Sequence, residues 1–170
     1  FTLSDGKKFV SLQDNKKQFL GYVVASSIKI VSGQQGSFQS MNQFVSIRGN
    51  YTIWNNFNWD ERASASKYKN QTFRAKGIYY HFNGSRYLSL YNNKNQWMGY
   101  INENGVRVGA GEQGAFHSIS RYVSIKGTHT IWRNFKWEKR ASASQYKNQT
   151  FQAKGIYYHF NGSCYLSLYN

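Results

Sequence analysis

Few residues in this chain could do covalent chemistry, and none of them forms a constellation. The only adjacent carboxylates are Asp60-Glu61. Neighbours on an extended strand point to opposite faces, so this pair would not converge on one substrate. The equivalent pair further on is Glu138-Lys139, which keeps one carboxylate. His81 and His159 occupy matching places in an aromatic strand and read as hydrogen-bonded strand histidines before they read as general bases. His117 and His129 have no matching histidine elsewhere, and no two histidines sit at ligand spacing. The single Cys164 excludes an intramolecular disulfide and a cysteine-based zinc site. No catalytic residue, metal or cofactor is therefore expected, and the chain reads as a non-enzyme.

The chemistry left is noncovalent. The 170 residues carry 22 Lys/Arg against 7 Asp/Glu, a net charge of +15, together with 14 Tyr, 12 Phe and 5 Trp. An aromatic side chain beside a cation offers an apolar platform for a sugar ring or base and a charge for a phosphate. The candidates are Arg62, Tyr68, Lys69, Lys76 and Tyr80, with Arg140, Tyr146, Lys147, Lys154 and Tyr158 as their counterparts. Trp59 and Trp137 join them because they lie in polar loops. Trp54, Phe57 and Tyr87 are assigned to the core, since a small β-domain needs large side chains to bury enough area. Net charge persists while its placement drifts. Lys67, Arg74 and Arg86 give way to Gln145, Gln152 and Cys164, whereas Asn55, Asn58 and Glu61 become Arg133, Lys136 and Lys139. Such drift suits a diffuse contact with a flexible polyanion.

These counterparts come from an internal repeat with an offset of 78 residues. Between 50–92 and 128–170, 34 of 43 positions are identical. The sequence divides into a partial unit over 1–49, a full unit over 50–127 and a partial unit over 128–170. Strand signals dominate: Tyr87-Leu-Ser-Leu-Tyr91 alternates, and Asn83-Gly84 and Asn161-Gly162 predict two-residue type I′ hairpin turns. No long stretch has a helical period, and Asp60–Tyr68 reads as a loop. The expected fold is all-β, as tandem SH3-like small barrels. A half-repeat, with Trp54, Trp97 and Trp132 each ten residues after a Phe/Tyr-x-Ser strand start, leaves a closed propeller-like ring of five short meanders as the alternative. Either way, the strand Tyr165–Leu168 is expected to pair with the N-terminal segment or with another molecule, because bare apolar edges invite aggregation. No run of ~18 apolar residues exists to span a membrane.

The run Thr52-Ile-Trp54, then Ala63–Phe73, Tyr79–Gly84, Tyr87–Leu90 and Trp97-Met-Gly-Tyr-Ile101, resembles the GW modules of Gram-positive surface proteins, which are built on a bacterial SH3-like barrel. Where that family has Gly-Trp, this chain has Trp-x-Gly-Tyr, and Phe19-Leu-Gly-Tyr22 has no Trp. The resemblance implies a secreted, cell-wall-associated anchor for an autolysin, adhesin or bacteriocin, with teichoic or lipoteichoic acid as partner. Two other classes remain open: a lectin or adhesin for neutral glycans or host matrix, and a single-strand nucleic-acid binder. The last lacks any RNP, KH or cold-shock signature.

Overall fold

The computed structural model describes residues 1–170 and is all-β: 49% of residues lie in strands, and the only helical turns are four short 3₁₀ segments. Fourteen strands run in chain order: β1 (Phe9–Gln13), β2 (Phe19–Val24), β3 (Gln39–Ile47), β4 (Thr52–Trp54), β5 (Glu61–Ser64), β6 (Thr72–Tyr80), β7 (Arg86–Tyr91), β8 (Trp97–Asn102), β9 (Val106–Val108), β10 (His117–Ser124), β11 (Thr130–Trp132), β12 (Lys139–Ser142), β13 (Thr150–Tyr158) and β14 (Cys164–Tyr169). All pairings are antiparallel, which suits strands joined by short polar turns. The repeat governs the pairing too. The β10–β13 register repeats that of β3–β6 residue for residue, and β1–β2 repeats β7–β8.

The largest sheet has seven strands in the order β5-β4-β8-β7-β6-β3-β9. It spans Gln39–Val108 and so straddles the division at residue 50 drawn from the sequence. It curls around one cluster that includes Val45, Ile53, Phe73, Leu90, Ile101 and Val106, contributed by six strands. The sheet stays open, with β5 and β9 at its edges. No sheet closes into a barrel, and none closes into a ring.

The other units are less covered. β10, β13 and β14 form one sheet and β11 and β12 another, with no partner corresponding to β8 or β9. The consequence is visible side chain by side chain: Leu88 is 3% exposed, whereas its counterpart Leu166 is 44% exposed. β14 pairs only with β13, and its outer edge is bare. The expected pairing with the N-terminal segment is not made: β1 and β2 pair with each other as a separate two-stranded sheet.

Two local readings change. The segment read as a loop over Asp60–Tyr68 holds β5 and a 3₁₀ turn at Ala65–Tyr68, whose cap is Ser64 Oγ accepting from Ser66 N. The Asn-Gly hairpins are not type I′. His81 O accepts from Gly84 N, and of the tip residues only Gly84 has positive φ, at 88°. A type I turn followed by a left-handed glycine is the next commonest hairpin closure. Asn83 instead spends its side chain accepting from Ser85 N. The second copy does the same at Asn161-Gly162.

Candidate functional site

Each unit places an aromatic cluster beside a polar loop. In the loop Asn55–Asp60, the Asn56 side chain accepts from Asn58 N (2.9 Å) and donates to the Asp60 carboxylate (2.7 Å). This local bonding replaces strand pairing and turns Trp59 into the left-handed region, at φ 67°. Phe57 and Trp59 are thereby thrown onto the strands. Phe57 stacks on Tyr100 with centroids 4.5 Å apart, and Trp59 packs at 5.2 Å on both Trp54 and His81. The second unit rebuilds the loop with Asn134 and Glu138, and Trp137 again has φ 66°. Asp60 and Glu138 thus latch a loop, and Glu61 lies apart from it on β5. Trp59 and Trp137 are 39% and 38% exposed, so one part of each ring packs and another meets solvent.

His81 sits under this cluster, 7% exposed, with Nδ1 accepting from Asn83 N at 2.9 Å. His159 repeats the arrangement with Asn161. Burial lowers the proton affinity of both rings, so both are neutral near pH 7. Burial also pushes the Tyr100 hydroxyl up to about 12, helped by the neighbouring Tyr79, which keeps it a proton donor. An open groove of about 500 Å³ runs over the first cluster, between Ser32–Gln35 and Asn55–Trp59, with His81 and Tyr100 on its floor. Its walls are amides and aromatic rings, with no Lys or Arg. In the second unit the positions of Gln34, Asn55 and Asn58 are taken by Glu112, Arg133 and Lys136.

Apart from Trp59 and Trp137, the predicted residues fall into four groups. Arg62 lies over the Trp97 ring at 4.9 Å, Lys76 over Tyr91 at 4.5 Å, and Lys154 over Tyr169 at 4.6 Å. Tyr80 is 48% exposed and carries Arg86 above it at 5.0 Å. Arg140 and Lys147 are exposed and stack on no ring. Tyr68 and Tyr146 turn inward, edge-on to Phe73 and Phe151 at 5.7 and 5.8 Å, and serve packing. Lys69 and Tyr158 lie together with Arg48 and Arg107 in a cleft between the units. Sequence reasoning did not single out Arg107, His117 or the amides of the groove. The repeated Asn56/Asp60 and Asn134/Glu138 spacing was the available signal for the loop. Lys29 at the position of Arg107 was the signal for the cleft.

No family model matches the chain, and no curated protein matches it in sequence. Among solved structures, the crystal structure of a protein provisionally named an autolysin, from Listeria monocytogenes, is similar with a TM-score of 0.41. The two are 11% identical, and the match covers 94% of this chain and 69% of that one. At that distance, function has to be argued from the geometry.

Across the whole chain, charge is barely neutralised. The one ion pair is Arg86–Glu103 at 3.7 Å, between exposed side chains. No three His, Cys, Asp or Glu side chains come together as a metal site would need. What the surface can do is hold a partner by unpaired cations, by aromatic faces and by amide hydrogen bonds.

Proposed function

We propose that this chain is a noncatalytic binding module that holds an anionic glycopolymer of the cell surface, of the teichoic or lipoteichoic acid class. The observation that carries this reading is the single ion pair among 22 Lys/Arg: the positive field is left free for an outside partner. The cations that stack on aromatic rings add a second feature. Arg62, Lys76, Arg86 and Lys154 each stand over an aromatic ring, so charge and apolar platform occur together. The amide-lined groove beside Trp59 would take an uncharged segment of the same polymer. On this reading the molecule works at a cell surface, as one part of an array in which each unit adds to the avidity.

Binding of the chain to purified cell walls, with and without teichoic acid, tests the proposal. Affinity for teichoic-acid-bearing walls is expected to fall steeply between ~50 and ~500 mM salt, as counterion release and screening require. Removing the teichoic acid should abolish it. Binding that ignores salt and is competed away by a neutral sugar would establish the second reading, a lectin for neutral glycans. The absence of any cation from the groove at Asn55–Trp59 is the observation that favours that alternative.

A further inference from the structure

The seven-stranded sheet over Gln39–Val108 and the segment that follows it, from Gly109 onward, meet at a tight junction. Thr72 Oγ1 donates to Tyr158 O, Ala115 N donates to Ser46 Oγ at 3.2 Å, and Phe44 packs on Phe160 with centroids 5.1 Å apart. Beside these contacts lies a cleft of about 330 Å³. Its polar lining is Arg48, Lys69, Asn70, Arg107, His117 and Tyr158, and no carboxylate borders it.

Arg48, Lys69 and Arg107 are exposed cations around one cleft with no carboxylate beside them, so the local potential is positive and favours an anion there. Arg48 is held in place, with Nε donating to Asn104 O at 3.0 Å. His117 pairs through the backbone with Ile156, and its ring lies edge-on to Tyr158 at 5.4 Å. Its Nε2 is buried and has no hydrogen-bond partner in the protein. Buried polar atoms are normally satisfied, so an orphan at the wall of a cationic cleft marks a place where a ligand atom belongs.

The repeat gives an independent reason. Many cations drift under the 78-residue shift, but all three in the cleft persist as cations: Arg48 as Lys126, Lys69 as Lys147, and Arg107 as Lys29. Arg62 and Lys76 also persist, with Trp97 and Tyr91 beneath them, and Lys16 persists as Lys94. The cleft cations stack on no ring and join no ion pair.

We infer that this junction is a phosphate-binding site, in which Arg48, Lys69 and Arg107 hold the anion and His117 Nε2 receives its missing partner. The inference rests on the polyanion reading above and locates one phosphate of the polymer between units rather than on either unit alone. A charge-assisted bond from a planar guanidinium to a phosphate oxygen is the strong form of such a contact.

The test titrates the whole chain with inorganic phosphate and with dimethyl phosphate at low salt, following the ring nitrogens of the four histidines by NMR. A saturable shift is expected at His117 and not at His129. Arg107→Gln and Lys69→Gln should each weaken that response at least about fivefold. Arg74→Gln removes the same charge at a position where the second copy already has Gln152, and should change it less than twofold. Two separate positions guard against one variant folding poorly. A His117 response that is absent, or that all three variants reduce equally, overturns the cleft. Wall binding is measured on the same variants to keep the two ideas apart. Walls bound equally by Arg107→Gln, Lys69→Gln and Arg74→Gln leave the polyanion reading standing and overturn the cleft as its seat. A saturable His117 response in a chain that binds no teichoic acid supports the phosphate site and overturns the polymer.

Discussion

Gly114 and Gly36 are repeat equivalents whose replacement by alanine should have unequal effects, and the difference measures the junction. Both have φ +76°, and at both a Cβ would meet the carbonyl of the same tyrosine position, Tyr158 O at 3.1 Å and Tyr80 O at 3.0 Å. An alanine held in the left-handed region costs about 1–2 kcal/mol, and that cost is common to the two sites. Only at Gly114 would the new methyl also collide with Thr72 Oγ1 and press on Ser46 Oγ at 3.0 Å. Those two hydroxyls make the inter-unit hydrogen bonds to Tyr158 O and from Ala115 N. Losing both adds about 1 kcal/mol each. Gly36→Ala should therefore cost about 1–2 kcal/mol and Gly114→Ala about 3–4 kcal/mol. For a chain of this length the gap of about 2 kcal/mol corresponds to roughly 4–8 °C in melting midpoint. Scanning calorimetry of the two variants side by side reads it. A Gly114→Ala midpoint within a degree of Gly36→Ala would refute the claim that Ser46 and Thr72 lock one unit to the next.

Leu90→Ala should cost about 2–5 kcal/mol in denaturant unfolding, since the side chain is fully buried, and Leu168→Ala less than half as much because β14 has no covering strand. At Trp59, φ 67° favours glycine, so Trp59→Gly should be about 1 kcal/mol more stable than Trp59→Ala, an inversion of the usual order. His81, His117 and His159 all have proton affinities lowered chiefly by burial, so they stabilise the fold while neutral. That stability is present above pH 6.5 and lost as pH falls through their folded values, because the unfolded chain then binds more protons. The melting temperature should be flat from pH 8 to 7 and fall from 6.5 towards 5; a rise over that interval would contradict neutral histidines. The paired change Lys76→Glu with Lys154→Glu should weaken wall binding more than either alone, read by co-sedimentation at low salt.

The strands were legible because alternation and period agree. Thr72–Tyr80 and Thr150–Tyr158 alternate, recur at a shift of 78, and pair with their neighbours in the same register. Closure was not legible, because it depends on which strand ends meet across the core, and no residue pattern reports that. β5 looked like a loop for a related reason. Glu61–Ser64 is only four residues long and polar apart from Ala63, and it becomes a strand through pairing with β4, with Ser64 then capping the turn at Ala65–Tyr68. The Asn-Gly tip misled in its detail, since Asn83 has a use for its side chain that a type I′ turn would waste.

The site divides along the same line. What lies within one unit could be read: cations near aromatic rings were visible as recurring types, although the ring each cation stacks on, such as Trp97 for Arg62, is set by the fold. What lies between units could not, because Arg48, Lys69 and Arg107 are far apart in sequence and meet only across the junction. The repeat offers a filter that was available from the start. Of the cations that persist under the shift, Arg48, Lys69 and Arg107 have neither a ring to stack on nor an ion pair, and these three meet in one cleft. Lys16 and Lys94 also persist, and nothing in the structure explains them. For a period-78 array the filter has a structural meaning. Residues that face a neighbouring unit are constrained at every junction, whereas residues that face solvent are constrained only by total charge. Persistence is thus shared by the joint cations Arg48, Lys69 and Arg107, by Arg62 and Lys76 over their rings, and by Lys16 and Lys94, so it narrows the search for the joints and the meeting of three such cations in one cleft completes it.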